Sequence, residues 1–255
     1  MTANTKVNCA ANTVEKMNTL DSETALGDSK AIISNQEDIH EKLDEVVNRH
    51  LTHASQKPYQ KHTEEAFAQM DALVKAFLVA NPEGEIILDA CCGVGQSTRI
   101  LAKQNPQALV IGVDKSDHRI NRNVEGFDAD DGFTAENYHL VRADLNDFYR
   151  LVKAANWAVS KHYILYPNPW PKSKHLQRRW HGSAVFPQMT SIGQQLILRS
   201  NWRIYLAEFQ QAAKFVDLQG DIDSLPVTEP SLALTPFEAK YQASGQICWQ
   251  LTLKR

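Results

Sequence analysis

No part of this 255-residue sequence approaches the apolar run of roughly 20 residues that a membrane-spanning helix needs. The opening segment, MTANTKVNCAANTVEK, has no apolar core of the kind a signal peptide carries. Cysteine is scarce. Cys9, Cys91, Cys92 and Cys248 show no paired zinc spacing, and the adjacent Cys91 and Cys92 are poor partners for a disulfide. Reduced thiols in a cytoplasmic protein without a metal centre are the simplest expectation. Positive charge is not in excess either. A formal net charge of −3 argues against a chain that coats nucleic acid over its whole surface, so any such contact must be local. No internal repeat is visible. What remains, 43% apolar and 22% charged residues, is ordinary for a soluble globular protein with room for one large α/β domain or a domain plus an appendage.

One local absence is more informative. From Tyr163 to His181 (YILYPNPWPKSKHLQRRWH) there is no acidic residue. The segment begins as an apolar strand and is stiffened at Pro167, Pro169 and Pro171. It then carries Lys172, Lys174, His175, Arg178 and Arg179. Ligands of α/β sheets sit just beyond the carboxyl ends of the strands, so a cationic turn there suggests a site that faces phosphates. A solvated surface loop is the competing interpretation. His175 and His181 fit a phosphate loop or a surface better than a metal site, because no carboxylate–histidine cluster accompanies them. Trp170 could stack on a base or pack between its flanking prolines.

Residues 1–35 are polar, low in aromatics and without periodicity, and read as a disordered or loosely attached extension. A helix is predicted over 36–51 from Ile39, Leu43, Val46 and Val47, and a firmer one from an N-cap at Thr63. Strands are predicted at 85–90, 109–114, 138–144, 162–166, 195–200, 214–218 and 246–253. Helices fall at 96–104, 116–124, 147–156 and 202–213. Continuous apolar strands such as Ile86-Ile87-Leu88 suit a parallel sheet covered on both faces, and the last strand should pair antiparallel. The domain is therefore placed at 52–255, behind an extension over 1–51.

The first strand ends at Asp89 and passes through Ala90-Cys91-Cys92-Gly93-Val94-Gly95 into a helix. The second ends in Gly112-Val113-Asp114 and the third in Arg142-Ala143-Asp144. Glycines let the backbone turn sharply beside a ligand, and an acid at Asp114 can accept both ribose hydroxyls of a nucleoside cofactor. Asp144 could meet an adenine amine or simply cap a helix. A dinucleotide loop would need a third glycine, where this chain has Thr98. A carboxylate at Asp89 would disfavour a pyrophosphate but suits the sulfonium and ammonium of S-adenosylmethionine. Asp89, Gly93, Gly95, Asp114 and Asp144 are thus the expected cofactor-binding set, with S-adenosylmethionine preferred to NAD.

The loop DACCGVGQS followed by VIGVD, then LYPNPWPKSKHLQRR, then LRSNWRIYLAEF and TPFEAKY, resembles in that order the bacterial tRNA (guanine-N7)-methyltransferase family over about residues 52–255. The resemblance implies the Rossmann-like class I fold of S-adenosylmethionine-dependent methyltransferases, a seven-stranded mostly parallel sheet with helices on both faces. It also implies a base held between the Pro-Asp-Pro-Trp turn and the Thr-Lys-Phe-Glu segment. The chain departs from the family at Asn168 and Asn201, which replace two aspartates. Ser200 replaces a threonine, Cys91 the first loop glycine and Pro236 a lysine. Asn168, Asn201 and Glu238 are the expected acceptor-side residues, with Trp170, Lys172, Lys174, Arg178, Arg179 and Thr235 on the RNA, most simply a tRNA. Asparagine offers an acceptor and a donor where aspartate offers acceptors only, so a changed acceptor edge or weakened guanine recognition is expected. Two alternatives stay open: a methyltransferase of this fold with another, even small-molecule, acceptor, and a silent RNA-binding paralogue.

Overall fold

The computed structural model describes residues 29–53, 57–126 and 137–255; Cys9 and the first 28 residues of the expected extension lie outside these. Seven strands, β1 (Glu85–Ala90), β2 (Ala108–Asp114), β3 (Tyr138–Arg142), β4 (Val159–Leu165), β5 (Gln195–Ser200), β6 (Gln219–Ser224) and β7 (Trp249–Lys254), form one sheet in the order β3-β2-β1-β4-β5-β7-β6. The first five run parallel, and β7 is antiparallel to both β5 and β6. The order reverses between β1 and β4, so the crevice for a ligand opens beyond the carboxyl ends of those strands.

Helices α1 (Leu43–Thr52) and α2 (Lys61–Ala80) precede the sheet. Crossovers between parallel strands are made by α3 (Gln96–Gln104), α4 (Asp117–Gly126), α5 (Leu145–Ala154), the short α6 (Phe186–Thr190) and α7 (Arg203–Ala213), while α8 (Pro236–Ala243) lies between the antiparallel neighbours β6 and β7. Alternation along β1 sorts the two faces. Ile86 and Leu88 join a large core with Phe148 and Val152 of α5 and Phe209 of α7, whereas Ile87 meets Val110, Leu101 and Ala102 beneath α3. Phe67 of α2 packs edge-on to Phe148 (5.4 Å) and stacked on Trp157 (5.2 Å), whose indole N–H donates to Asp71 (2.9 Å).

Four expectations change. The predicted helix over 36–51 begins only at Leu43, and it is not an appendage. Leu43, Val46 and Val47 lie at i, i+3 and i+4 and are buried in the same core as the sheet, against α6 and α7. The boundary set at residue 52 therefore cuts through one packed unit. Residues 29–42 also bond to the domain, as described below. Thr63 is not a cap: α2 starts at Lys61, and the buried Thr63 hydroxyl accepts the backbone N–H of Asp144 (3.1 Å). The strand predicted at 214–218 is displaced to Gln219–Ser224. Lys214–Val216 instead turns as a 3-10 helix ending at Asp217 with φ +57°. The short helices α6 and α8 lack the length to show a periodic stripe and were not anticipated.

Burying Leu43, Val46 and Val47 contributes about 1.5–3 kcal/mol per side chain, a large share of a typical stability of about 5–15 kcal/mol. A chain beginning at residue 54 should melt at least about 10 °C lower than the full chain, given roughly 2–4 °C per kcal/mol at this size. Equal melting temperatures by calorimetry would show α1 to be dispensable.

Candidate active site

The turn after β1 is built on left-handed residues: Cys91 (φ +62°), Gly93 (φ +62°) and Gly95 (φ +79°). A Cβ on Gly95 would strike the Leu140 side chain at 2.5 Å, so this glycine is what lets the loop close onto β3. A Cβ on Gly93 would meet nothing within 4 Å, which leaves backbone facing open space, as a close-lying ligand requires. Cys91 takes the same conformation with a side chain, at a cost of about 1–2 kcal/mol. Its thiol is pushed up to about 12 by burial and by the nearby Asp114 and Asp89 carboxyls, so it is no nucleophile at neutral pH.

Asp89, at the end of β1, is fully buried. One carboxyl oxygen, Oδ2, accepts from the hydroxyls of Ser97 (2.6 Å) and Thr98 (2.7 Å), both in the first turn of α3. The other, Oδ1, is buried with no donor among the described residues. Burial raises its pKa to about 6 against the opposing pull of the two hydroxyls, with Asp114 adding to the rise. Asp114, one strand over, accepts from Gly93 N–H (3.1 Å) through Oδ2 and from Ser116 N–H (2.8 Å) through Oδ1, with Arg119 Nη1 at 3.7 Å. A buried acceptor lacking a donor, a second carboxylate bonded to the glycine turn and an open glycine fit a cationic nucleoside such as S-adenosylmethionine. Asp144 takes its simpler role: its carboxyl caps α5 by accepting Asn146 N–H (2.9 Å).

The basic turn follows β4. Tyr166 (φ +49°) and Trp170 (φ +45°) are left-handed. The exposed Asn168 accepts Trp170 N–H through Oδ1 (3.3 Å). The Trp170 ring lies under the Arg178 guanidinium, 4.7 Å from its centroid, and edge-on to His175. Lys172, Lys174 and Arg178 are exposed and form the cationic surface. Arg179 does not belong to it. It is fully buried, ion-paired to the equally buried Glu208 of α7, and bonded to the carbonyls of Trp170 and Lys172 and to Gln36. His181 is no surface residue either; it is buried and donates through Nε2 to Glu208 (2.8 Å).

Glu238 is buried and bonded on both oxygens, to Arg199 (3.0 and 2.9 Å) and to the Tyr166 hydroxyl (2.8 Å). It therefore ties α8 to the ends of β4 and β5 and has little left to offer a base. Thr235 caps α8 by accepting Glu238 N–H (3.0 Å), with Pro236 at the first helical position, a structural role that accounts for this side chain without a substrate. Asn201 donates through Nδ2 to Gln246 (2.8 Å). Arg199, Tyr166, Gln246 and Glu208 were not anticipated. The acid within the apolar stretch YLAEF was the one available signal for Glu208.

Among the described residues no group of three or more His, Cys, Asp or Glu gathers as a metal site. In the same residues, no helix is long and apolar enough to cross a membrane.

Residues 83–251 match the model of a family described as "Putative methyltransferase". The chain is 31% identical over 96 residues to the tRNA (guanine-N(7)-)-methyltransferase of Mycobacterium avium (strain 104), covering 37% of this chain and 35% of that protein. To the protein of the same name from Treponema pallidum (strain Nichols) it is 24% identical over 194 residues, 73% of each. The chain spans between 35% and 44% of the length of the first such relatives. Among solved structures, a 16S rRNA (adenine(1408)-N(1))-methyltransferase from Catenulisporales acidiphilia aligns with a TM-score of 0.51 at 16% identity, over 71% of this chain and 90% of that one, which shows a shared fold. The chain belongs to this methyltransferase family and, within it, resembles the tRNA (guanine-N7) enzymes.

Proposed function

We propose that this protein is an S-adenosylmethionine-dependent methyltransferase that methylates a base of RNA, most simply a tRNA. The observation that carries this reading is the pairing of Asp89 and Asp114 at the ends of adjacent strands around the glycine turn, one strand away from the cationic turn after β4. Asp89 would face the cationic end of the donor, Asp114 the ribose hydroxyls, and Gly93 would let the ligand approach the backbone. Lys172, Lys174 and Arg178 would contact phosphates, as cations placed beyond a strand end can. A ring nitrogen such as guanine N7 already presents a lone pair at neutral pH, so its methylation needs no strong general base. Catalysis would then rest on holding that nitrogen in line with the donor methyl. With Asp144, Thr235, Glu238 and Arg179 all engaged elsewhere, none of them need touch a ligand. Labelled cofactor incubated with total tRNA, followed by mapping of the modified nucleoside, tests the whole reading. A protein that neither methylates tRNA nor gains melting temperature with S-adenosylmethionine would end it.

The raised pKa of Asp89 gives this reading a pH signature. Between about 4 and 6 the folded chain holds a proton that the unfolded chain has lost, so stability falls as pH rises through that window. A cation beside Asp89 favours the ionised carboxyl. Cofactor affinity should therefore rise from about pH 5 to 7, with proton release seen by calorimetry in two buffers near pH 5.5. Asp89→Asn should remove the stability slope and weaken the cofactor at least tenfold. An affinity flat across that range would take Asp89 out of contact with the cation.

Replacing Lys172, Lys174 and Arg178 by alanine should weaken RNA binding across sequences and lower the salt slope by roughly 0.7 per lost contact on a single strand. The buried Arg179 is left in place so that the fold survives. An unchanged slope would return the loop to solvent.

Asn168 is exposed, and its replacement by aspartate keeps the acceptor that Trp170 N–H uses while adding a charge for guanine N–H donors. Charge-assisted bonds of this kind are worth about 1.5–3 kcal/mol. Asn168→Asp should raise 7-methylguanosine formation roughly tenfold or more. A wild type already efficient at N7, and impaired by the change, would show that asparagine was selected for this acceptor.

A further inference from the structure

Residues 29–36 lie against the acceptor side of the domain. They alternate: Ile32, Ser34 and Gln36 face inward, while Ala31, Ile33 and Asn35 face out, with Ile33 at 87% exposure. Ile32 packs against the main core. Both ends are fastened. At the far end Ser34 donates to the Pro171 carbonyl (2.6 Å), and Asn35 and Ser173 exchange two bonds (3.0 and 3.2 Å). There too Gln36 bonds Arg179 and Glu208. At the near end the Ser29 N–H donates to Ser244 (3.1 Å), and the Ser29 carbonyl accepts from Gln246 Nε2 (2.8 Å).

The near-end bonds account for Asn201. A carbonyl can only accept, so the Ser29 carbonyl fixes the Gln246 amide with its nitrogen toward the strap. The Gln246 oxygen is then left facing residue 201, which must donate, and Asn201 Nδ2 does so at 2.8 Å. An aspartate at 201 cannot donate. It would repel the Gln246 oxygen or turn the amide around and set two oxygens against each other at Ser29. The aspartate expected from the family resemblance is thus incompatible with this latch, and the asparagine completes it.

We propose that Asn201 is a positioning residue: through Gln246 it latches residues 29–36 as a strap joining the turn after β4 to the loop before β7, and the strap forms a wall of the acceptor site at the ends of β4 and β5. The second part rests on the function proposed above; the latch itself does not. On this assignment, Asn201 acts on the acceptor through the strap, without touching the base.

The test uses the full chain. Hydrogen exchange of the peptide spanning residues 29–36 should be at least tenfold faster in both Asn201→Asp and Gln246→Ala. The double variant Asn201→Asp/Gln246→Lys should restore it to within about twofold, because an ammonium can donate to the new carboxylate and to the Ser29 carbonyl together. Unchanged exchange in the two single variants overturns the latch, whatever the enzyme does. In methylation assays with total tRNA, both single variants should shift KM for RNA in the same direction at least threefold, with rescue in the double variant. A KM that responds to Asn201→Asp but not to Gln246→Ala means that Asn201 meets the base directly, and overturns the wall. Loosened exchange with no change in KM does the same. A protein inactive on every RNA fails the functional reading alone, since the exchange result still decides the latch.

Discussion

The side of this molecule that carries the basic turn hangs on one buried carboxylate. Glu208, in the middle of α7, accepts from Arg179 and His181 in the basic segment and from the Gln36 side chain and His40 N–H ahead of α1. Burial alone would raise its pKa, but the bonds from His181 and the positive charge of Arg179 outweigh that and hold it at about 2. Removing one partner of a buried ion pair costs about 3–5 kcal/mol because the other charge is stranded. Three stretches far apart in sequence are fixed by it: the N-terminal segment, the turn after β4, and the helix after β5.

That arrangement divides the basic run into two populations with different work. Lys172, Lys174 and Arg178 stay in water, where they can meet a polyanion. Arg179 is withdrawn to brace the turn from beneath, through the carbonyls of Trp170 and Lys172. The left-handed Tyr166 and Trp170 are tolerable for the same reason. Such conformations persist where surrounding bonds over-determine them: Glu238 and the Arg199 carbonyl hold Tyr166, and Asn168 and Arg179 hold the Trp170 backbone. The turn is therefore braced from beneath and carries a charged rim.

Much of this was legible in the sequence, and the failures share a cause. Strand β1 and helix α3 fall where the apolar run and the glycine turn put them, because their pattern is local. The antiparallel pairing expected of the last strand is found in β7. Arg179 could not be told from Arg178, since the carboxylate that buries it lies 29 residues away in sequence. Glu238 and Thr235 carry side chains suited to a ligand but spend them on a helix cap and an ion pair. Residues 29–35 contain too few apolar groups to suggest order, yet they are held by side-chain hydrogen bonds that no periodicity records.

Strand β6 shows what its unpromising composition does for the protein. Gln219–Ser224 is short, mostly exposed and carries Asp221 and Asp223, which is why hydrophobic patterning pointed to the residues before it. It is also the outer edge of the sheet, pairing with β7 on one side only. A second copy adding a strand there would bring four carboxylates into register and bury almost no apolar surface. The feature that hides this strand from sequence reading disfavours strand addition at this edge of the sheet.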